Sequence, residues 1–435
     1  MNYQPEIEFA PPQEVQTLQL ANLNRLLEYV RKNSPFYARH FQRHGFSSAS
    51  LKSLEELAAI PVTTKDDLQT SYQDFLCIPK NRIAEFTSTS GTLGKPVTIA
   101  LSANDIQRLA YNEAISFACA DGSEEDVYQL MLTLDRQFMA GLAYYEGIKK
   151  LGAGLIRTGP GLPAMQWETI ERLQPTTLVA VPSFVVKLLE YATEHAIDVT
   201  KTSVKKIICI GENIRTDALQ PNTLANRITA LWKVDLYGTY ASTEMQTAFT
   251  ECKHGTGGHH HPELLLVELL DDNNNPVQEG EAGEICITTL GVEAMPLIRY
   301  KTGDIARMHS ERCACGRTSV RIGPVIGRKQ QMLKIKGTTL YPPAIFEVMN
   351  QQQGIQDYVV EAITGSLGTD ELRIYVVAAP DQQQAVVSRM AASFQSTLRV
   401  TPEIIFAGSR ELEKLNGSGQ YRKVRKFLDS RVSQI

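Results

Sequence analysis

The decamer TSTSGTLGKP at residues 87–96 combines five hydroxyl side chains, two glycines and one lysine. Glycines let backbone N–H groups converge on an anion, hydroxyls add hydrogen-bond donors, and a lysine supplies positive charge. This composition suits a loop that holds a polyphosphate. The decamer does not match the Walker A pattern, because two residues separate Gly91 from Gly94 and Pro96 follows Lys95. A surface turn without a ligand is the alternative.

Three cysteines and one histidine form a second group whose residue types suit chemistry. Six residues separate Cys252 from His259, and Cys313 and Cys315 follow as a C-x-C pair. Thiolates and an imidazole in tetrahedral number suit zinc, and four protein ligands would close the metal to water, as in structural zinc sites. The imidazole is open to three neighbouring alternatives: His254, His260 and His261. A set of reduced cysteines beside a surface histidine cluster is the other interpretation.

Hydrophobic periodicity predicts the elements that must position these groups. Apolar residues at helical spacing predict an amphipathic helix over residues 13–33. Short β-branched runs at 176–183, 205–212 and 233–240 alternate with helical patterns. This alternation favours an α/β sheet whose strands are buried on both faces, with functional loops at the strand ends.

The pattern changes after residue 263, where two apolar runs flank the turn DDNNNP and predict a β-hairpin. Two further strands are predicted within 355–379, then a helix over 381–398 and the strand PEIIFA. We therefore expect an α/β protein with a large N-terminal domain of mixed sheets and flanking helices, and a smaller, mobile α+β C-terminal domain. The expected domains are residues 1–327 and 328–435.

The bulk composition bounds the function. The chain has 435 residues, 43% of them hydrophobic and 21% charged, with a formal net charge of −4. The size calls for more than one domain, and the charge argues against nucleic acid as the main partner. The sequence contains no signal peptide and no membrane-spanning segment, and its seven cysteines suit a reducing compartment, so we expect a cytoplasmic protein.

Four motifs in order carry a resemblance: TSTSGTLGKP, YGTYASTE at 237–244, YKTGD at 300–304 and GRKQQMLKIKG at 327–337. Together they resemble the core motifs of the adenylate-forming superfamily of acyl-CoA synthetases and adenylation domains. Within it, the chain resembles the phenylacetate-CoA ligase family over nearly its whole length. The segments that carry this resemblance are NSPFYARHF, IPVTTKDDL, MPLIRYKTGD, CACGR and LYPPAIFE.

The resemblance implies an AMP-forming acid–thiol ligase that uses ATP, magnesium and coenzyme A. A carboxylate, aromatic by this resemblance, would attack the α-phosphorus of ATP to give an acyl adenylate, and coenzyme A would then displace AMP. The glycine-rich loop would contact the β and γ phosphates. Its expected phosphate ligands are Thr89, Ser90, Gly91, Thr92, Gly94 and Lys95.

In YGTYASTE the resemblance implies an aromatic stacked on adenine, a threonine beside the α-phosphate and a glutamate that holds magnesium. Counting back from STE assigns Tyr240, Thr243 and Glu244, whereas counting forward from DLYG assigns Tyr237 as the stacking residue. Both tyrosines stay open. Ala241 stands where glycine is usual.

Further roles follow from the resemblance. Asp304 would accept both ribose hydroxyls, Arg328 would lie near the sugar and phosphate, and Glu212 would neighbour the adenine, with a helix-start carboxylate as the alternative for Glu212. Anchoring the pattern GKxxRxxDxR on Asp429 and Arg431 assigns Lys423 as the adenylation lysine. Two alternatives stay open for Lys423: a solvated basic tail, or a count from Gly419 that would put Gln420 there.

The resemblance also implies a hinge, an acid pocket and an assembly. The hinge would lie at Gln330, and Gly337 would leave space for the pantetheine arm or serve a turn. The CACGR segment and the C-x6-H spacing resemble the family's zinc site. Candidate walls of the acid pocket are Phe138, Met139, Ala140, Gly141, Tyr240 and Ala241. Similar enzymes are often homodimers. Two rival functions remain, namely loading of a carrier protein and nucleotide binding without turnover.

Overall fold

The computed structural model describes residues 3–47, 50–89, 96–335, 338–365, 369–417 and 425–431. These residues divide into two compact units, with the division between Val325 and Ile326. The predicted α/β fold class is confirmed. Among the described residues, no helix is long and apolar enough to cross a membrane.

The helices of the first unit begin at clear sequence signals. α3 and α4 start with capping boxes, in which Thr64 pairs with Asp67 and Ser102 pairs with Asp105. The predicted helix over 13–33 is confirmed as α1. The helices are α1 Pro12–Asn33, α2 Pro35–Arg43, α3 Lys65–Phe75, α4 Ala103–Cys119, α5 Met139–Leu151, α6 Pro163–Leu173, α7 Pro182–Glu194 and α8 Thr223–Leu231.

The strands of the first unit form one hairpin and one long sheet. They are β1 Glu85–Ser88, β2 Thr98–Leu101, β3 Val127–Leu130, β4 Gly154–Arg157, β5 Thr177–Ala180, β6 Lys206–Ile210, β7 Asp235–Ser242, β8 Thr247–Glu251, β9 Gly258–His259, β10 Leu265–Leu270, β11 Ala282–Thr289, β12 Tyr300–His309 and β13 Arg321–Ile322. β1 and β2 form the hairpin. The sheet has the order β10-β11-β12-β13-β9-β8-β7-β6-β5-β3-β4.

This sheet changes character at β7. Strands β3 to β7 pair in parallel, whereas β7 pairs antiparallel with β8 on its other side. All four residues of β5 are buried, which confirms the expectation of strands covered on both faces. The predicted hairpin after residue 263 is confirmed as β10 and β11. The carboxyl end of β7 therefore lies where the parallel and antiparallel halves meet, a common location for ligand sites.

The second unit is a smaller α+β structure. Its elements are β14 Gly327–Arg328, β15 Leu333–Ile335, β16 Thr338–Leu340, α9 Pro342–Asn350, β17 Asp357–Thr364, β18 Asp370–Val377, α10 Gln383–Thr397, β19 Glu403–Phe406, α11 Ser409–Asn416 and β20 Phe427–Asp429. A sheet of order β19-β18-β17-β20 packs its apolar face on α9 and α10. The strands and helix predicted between 355 and 407 are confirmed.

Candidate nucleotide site and metal centre

The β1–β2 hairpin carries the glycine-rich loop. Beyond the last strand pair, Thr89 N donates to Val97 O at 2.9 Å, and Val97 N donates to Thr89 Oγ1 at 2.9 Å. The Thr89 hydroxyl still has its own proton to donate to a ligand. The other predicted phosphate ligands lie outside the described residues: Ser90, Gly91, Thr92, Gly94 and Lys95. The hairpin therefore holds the two ends of the loop side by side.

The segment expected to line the acid pocket contacts the base of this hairpin. Ser88 N donates to Gln137 O at 2.9 Å. Arg136 and Gln137 have φ values of 56° and 57°, a left-handed conformation that costs free energy for residues other than glycine and is concentrated at functional sites. The wall candidates from this segment are buried or half-buried: Phe138, Met139, Ala140 and Gly141. The predicted acid pocket and the ends of the phosphate loop are thus neighbours.

The two candidate adenine-stacking tyrosines lie on opposite faces of β7, because side chains alternate along a strand and three positions separate them. Tyr237 is 3% exposed, packs among core residues, and donates its hydroxyl to Asp121 Oδ2 at 3.0 Å. Burial raises the pKa of Tyr237 above its usual range. Tyr240 is half-buried, beside the exposed Ala241. Of the two rings, only that of Tyr240 is open to a ligand.

Asp304 lies on β12 next to a bulge. Between the pairs with Glu284 and Cys286 on β11, the β12 register shifts, and Gly303 in this stretch has a φ of 79°. Bulges of this kind re-aim the following side chain, and glycine permits the left-handed backbone. Asp304 is 6% exposed, and its Oδ2 accepts a hydrogen bond from Tyr240 Oη at 2.9 Å. The ribose and adenine candidates thus contact each other directly.

Glu244 lies in the turn between β7 and β8, with Thr243 immediately before it. Both are half-buried. Tyr300 Oη donates to Glu244 Oε1 at 3.4 Å, which is a second link between this turn and β12. Apolar residues beside each predicted motif share one core cluster: Val97, Met139, Met245 and Tyr300. The phosphate loop ends, the pocket wall, the magnesium candidate and the ribose candidate therefore rest on the same core.

Glu212 follows β6 and caps a helix. Its Oε2 accepts from Ser183 N at 2.8 Å, and its Oε1 accepts from Ser183 Oγ at 2.9 Å. Ser183 lies in the first turn of α7, where backbone N–H groups have no helical partner and the dipole favours an anion. Glu212 therefore has a structural role at the carboxyl edge of the parallel strands, whether or not it also contacts a nucleotide.

Arg328 belongs to the second unit, where its side chain is exposed. The preceding Gly327 contacts Tyr341 so closely that an added Cβ would lie 2.4 Å from the tyrosine ring. Only glycine fits this position without displacing Tyr341. The expected hinge residue Gln330 lies in a short 3-10 helix, Lys329–Gln331, and Gly337 lies outside the described residues.

The candidate adenylation lysine Lys423 also lies outside the described residues, but its two sequence anchors are described. Arg431 Nη2 contacts Asp429 Oδ2 at 2.6 Å, so the anchors form an ion pair. Arg431 also donates to Met332 O at 2.8 Å and to Gln330 O at 3.3 Å. The segment that ends the lysine motif is therefore bonded to the segment that contains the expected hinge residue.

The four candidate metal ligands come together in the first unit. In the described part of the chain, one group of three or more potential ligands was found, and it contains Cys252, His259, Cys313 and Cys315, with ligand atoms within 4.8 Å of one another. Cys252 Sγ lies 3.7 Å from Cys313 Sγ, and Cys315 Sγ lies 3.5 Å from His259 Nε2. In a zinc tetrahedron these edges are about 3.8 Å and 3.6 Å, respectively. The donor set and its spacing therefore fit zinc.

Burial shapes the protonation of these ligands. Burial, with further contributions from nearby cations, lowers the pKa of His259 to about 3, so this imidazole is neutral at physiological pH and its ring nitrogen can bind a metal. Burial, together with the neighbouring thiols Cys315 and Cys313, raises the pKa of Cys252 to about 12. Burial opposes ionisation of Cys313 as well, but hydrogen bonds from Cys315, Thr256 and Cys252 leave its pKa lowered. The Cys313 thiol therefore ionises more readily than the Cys252 thiol.

Comparisons with known proteins identify the family of this chain. The model of the family described as "AMP-binding enzyme" matches residues 42–294, which is more than half of the chain. The chain belongs to the AMP-binding enzyme family. The predicted membership in its phenylacetate-CoA ligase branch is confirmed.

Two relatives of this AMP-binding enzyme match most of its length. The chain is 28% identical to the phenylacetate-coenzyme A ligase of Thermus thermophilus, over 99% of this chain and 100% of the relative. It is 29% identical to the phenylacetate-coenzyme A ligase of Escherichia coli, over 78% and 77%. A crystal structure of 2-hydroxyisobutyryl-CoA ligase in the postadenylation state has a TM-score of 0.85 at 22% identity, over 99% of this chain and 93% of that chain. This last likeness shows the fold.

Sequence reasoning missed two contacts of this AMP-binding enzyme. Tyr300, in the recognised segment MPLIRYKTGD, had no predicted role although it contacts Glu244. Arg317, the last residue of CACGR, donates from Nη1 to Cys315 Sγ at 3.6 Å. The sequence signal for Arg317 was the presence of a cation two residues after Cys315. Nothing in the local sequence around Tyr300 pointed to a glutamate in the turn between β7 and β8.

Proposed function

We propose that this chain joins an aryl carboxylic acid of the phenylacetate type to coenzyme A at the expense of ATP. The acid first becomes an acyl adenylate with release of pyrophosphate, and the coenzyme A thiol then displaces AMP. Family membership and the names of the two relatives support this reaction. The observation that carries the proposal is the hydrogen bond between Tyr240 and Asp304 at the carboxyl end of β7.

The proposed nucleotide contacts follow from this pair. The half-buried ring of Tyr240 stacks on adenine, and the carboxylate of Asp304 accepts both ribose hydroxyls, because each carboxylate oxygen can accept more than one hydrogen bond. Thr243, beside Glu244, supplies a hydroxyl to the α-phosphate. By the family resemblance, Arg328 contributes positive charge near the sugar and phosphate.

Adenylation brings the carboxylate of the acid close to the phosphates of ATP. Because both are anions, the reaction requires positive charge that reduces their repulsion. An oxygen of the acid forms a bond to the α-phosphorus while the bond from that phosphorus to the bridging oxygen of pyrophosphate breaks. Lys423, Lys95 and the amides of the phosphate loop stabilise the charge that develops on the phosphates. Glu244, a half-buried carboxylate, fits as the holder of magnesium, which binds one or two carboxylates together with substrate phosphates and neutralises their charge.

Thioester formation completes the proposed reaction. The sulfur of coenzyme A forms a bond to the acyl carbon, the bond from that carbon to the phosphate oxygen breaks, and AMP leaves with the electron pair. The pocket wall from Phe138 to Gly141 would contact the aryl group, and its half-buried aromatic and small residues suit a flat ring.

Pyrophosphate release with a panel of acids tests the function. We expect release with phenylacetate and related aryl acids, and none without an acid. We further expect the second half-reaction to give a thioester on coenzyme A. A thioester formed only on a carrier protein would favour the first rival function. Nucleotide binding without pyrophosphate release from any acid would favour the second.

The cysteine and histidine group is proposed as a structural zinc site. Four protein ligands leave no open position for a substrate, so the metal would hold the segments around Cys252 and Cys313 together. Elemental analysis of the wild type should find one zinc per chain. Cys313→Ser should lose it, whereas Cys77→Ser, which removes a buried free thiol outside the group, should retain it. A wild type without zinc would contradict this assignment.

The free cysteines also support a reducing compartment such as the cytoplasm. A homodimer is part of the proposal by analogy with similar enzymes, and sedimentation at several protein concentrations tests it.

A further inference from the structure

Glu8 is a carboxylate buried near the metal ligands. It lies in a short 3-10 helix, Glu6–Phe9, and is 0% exposed. One carboxylate oxygen contacts His261 Nδ1, and the other accepts from Arg317 Nε at 2.6 Å. Removing a carboxylate from water is costly unless it is paired and hydrogen-bonded. Both oxygens of Glu8 are paired in this way, by residues more than 250 positions away in the sequence.

These contacts continue in both directions as one buried chain of side chains. His261 Nε2 lies 3.0 Å from Ser116 Oγ on α4, and Arg317 Nη1 donates to Cys315 Sγ at 3.6 Å. The chain therefore runs from α4, through Glu8, to one of the four candidate metal ligands. The order serine, histidine, glutamate resembles a hydrolase triad, but Ser116 is 1% exposed, so no substrate can reach its hydroxyl.

Backbone contacts fasten the same two segments together. Thr318 N donates to Glu8 O at 2.8 Å, and Thr318 Oγ1 also donates to Glu8 O at 3.2 Å. The Arg317 guanidinium lies over the Phe9 ring, 5.0 Å from its centroid. The residues that follow Cys315 thus rest on the Glu6–Phe9 helix through backbone, ionic and aromatic contacts.

The charges favour a link between this network and a bound metal. Zinc with three thiolates and a neutral imidazole carries a net negative charge, and Arg317 lies beside one of those thiolates. Glu8 holds the Arg317 side chain in that position. Hydrogen-bonding partners of metal ligands fix ligand orientation, and their loss costs about 10- to 100-fold in metal affinity.

We propose that Glu8 is a positioning residue for the metal centre, and that metal binding and docking of the Glu6–Phe9 helix stabilise each other. This inference rests on the proposed zinc site. Linkage is reciprocal. Removal of the Glu8 carboxylate therefore weakens metal binding, and removal of the metal weakens docking of the Glu6–Phe9 helix.

Zinc affinity of the full chain, measured by competition with a chelating dye, tests the first half. Glu8→Gln keeps the shape of the side chain and removes its charge, and Glu6→Gln makes the same change at an exposed position of the same helix. We expect Glu8→Gln to bind zinc about 10- to 100-fold more weakly than the wild type, and Glu6→Gln to match the wild type. Equal affinities of the two variants would overturn the inference while leaving the zinc site intact.

Hydrogen exchange of the wild type tests the second half without any substitution. Stripping zinc with a chelator should speed amide exchange in residues 6–9 and 313–318, and should leave α10 in the second unit unchanged. Amide exchange rates in residues 6–9 that are the same with and without zinc would overturn the inference. A wild type that binds no zinc at all would overturn the zinc site and this inference together.

Discussion

The candidate nucleotide site and the candidate metal centre are both assembled from distant segments, but they differ in how completely their groups are covered. The metal centre is closed, with Cys252, His259 and Cys313 buried and their ligand atoms within 4.8 Å. In the nucleotide site Tyr240 and Glu244 remain half-buried. A closed site holds one ion and stabilises the fold, whereas an open site exchanges ligands. We therefore expect substitutions at the metal centre to affect mainly stability, and substitutions at the candidate nucleotide site to affect mainly turnover.

The largest effect on turnover is expected at Lys423. Lys423→Ala should slow pyrophosphate exchange by about 10²- to 10³-fold, because it removes positive charge needed only in adenylation. Thioester formation from supplied acyl adenylate should persist. Lys426→Ala is the matched control, since the Lys426 ammonium contacts the Tyr358 ring, 4.6 Å from its centroid. Equal loss of both half-reactions in Lys423→Ala would contradict the role assigned to this lysine.

Metal loss is expected to cause the largest change in stability. Cys313→Ser should lower the free energy of unfolding by about 4 kcal/mol or more, because a closed metal site connects separate segments. The rate per folded molecule should stay close to that of the wild type. Urea unfolding and a titration of active sites measure the two quantities. A folded, zinc-free variant with a large drop in kcat would show that the two regions are not separate.

Asp304→Asn should change the kinetics with ATP and leave the metal centre unaffected. The substitution weakens hydrogen bonds to a charged acceptor, and each such bond contributes about 1.5–3 kcal/mol, so we expect a 10- to 100-fold rise in the KM for ATP. Zinc content should not change. Steady-state kinetics and elemental analysis on the same preparation test the prediction, and a variant with an unaltered KM would remove Asp304 from the nucleotide site.

Glu113 on α4 is, like Glu8, a buried carboxyl group of the first unit. Glu113 is 4% exposed and hydrogen-bonded to Asn112, and burial raises its pKa to about 8. The folded state then binds a proton that the unfolded state releases, so the contribution of Glu113 to stability is fully present below about pH 4.5 and is lost as the pH rises through 8. Glu113→Gln should abolish this loss and be about 1–3 kcal/mol more stable than the wild type at pH 8.

Urea unfolding at pH 5 and pH 8 measures this difference. Glu146→Gln, which changes a partly exposed carboxylate on α5, serves as the control and should keep the wild-type dependence on pH. A Glu113→Gln variant with the same slope as the wild type would show that Glu113 is ionised in the fold.

The smallest expected effects distinguish the two tyrosines of β7. Tyr240→Phe loses the hydrogen bond to Asp304, worth about 1 kcal/mol, and should raise the KM for ATP about fivefold with little change in stability. Tyr237→Phe loses the buried bond to Asp121 and should lower stability by about 1 kcal/mol with an unaltered KM. The opposite pattern would assign adenine stacking to Tyr237.

This pair of tyrosines also shows how far sequence reasoning reached. The motif YGTYASTE and the strand that carries it were predictable, because hydrophobic runs and turn residues are local signals. Which tyrosine faces a ligand was not predictable, since it depends on what covers each face of β7. Tyr237 is covered by α4 and α5, and that coverage arises from packing between distant segments.

The metal centre, too, was only partly predictable from the sequence. The ligand types and the C-x6-H and C-x-C spacings were visible in the sequence, and the choice of His259 over its neighbours rested on spacing alone. The structure assigns His261 to Glu8 and His260 to a backbone carbonyl, which leaves His259 for the thiols. Glu8 had no local signal, because its partner Arg317 is 309 positions away.

The most direct test of the account is a crystal structure with ATP and phenylacetate. We expect the adenine on the ring of Tyr240 and both ribose hydroxyls about 2.7–3.2 Å from the carboxylate of Asp304. A nucleotide bound elsewhere, with the hydrogen bond between Tyr240 and Asp304 unchanged, would contradict the account.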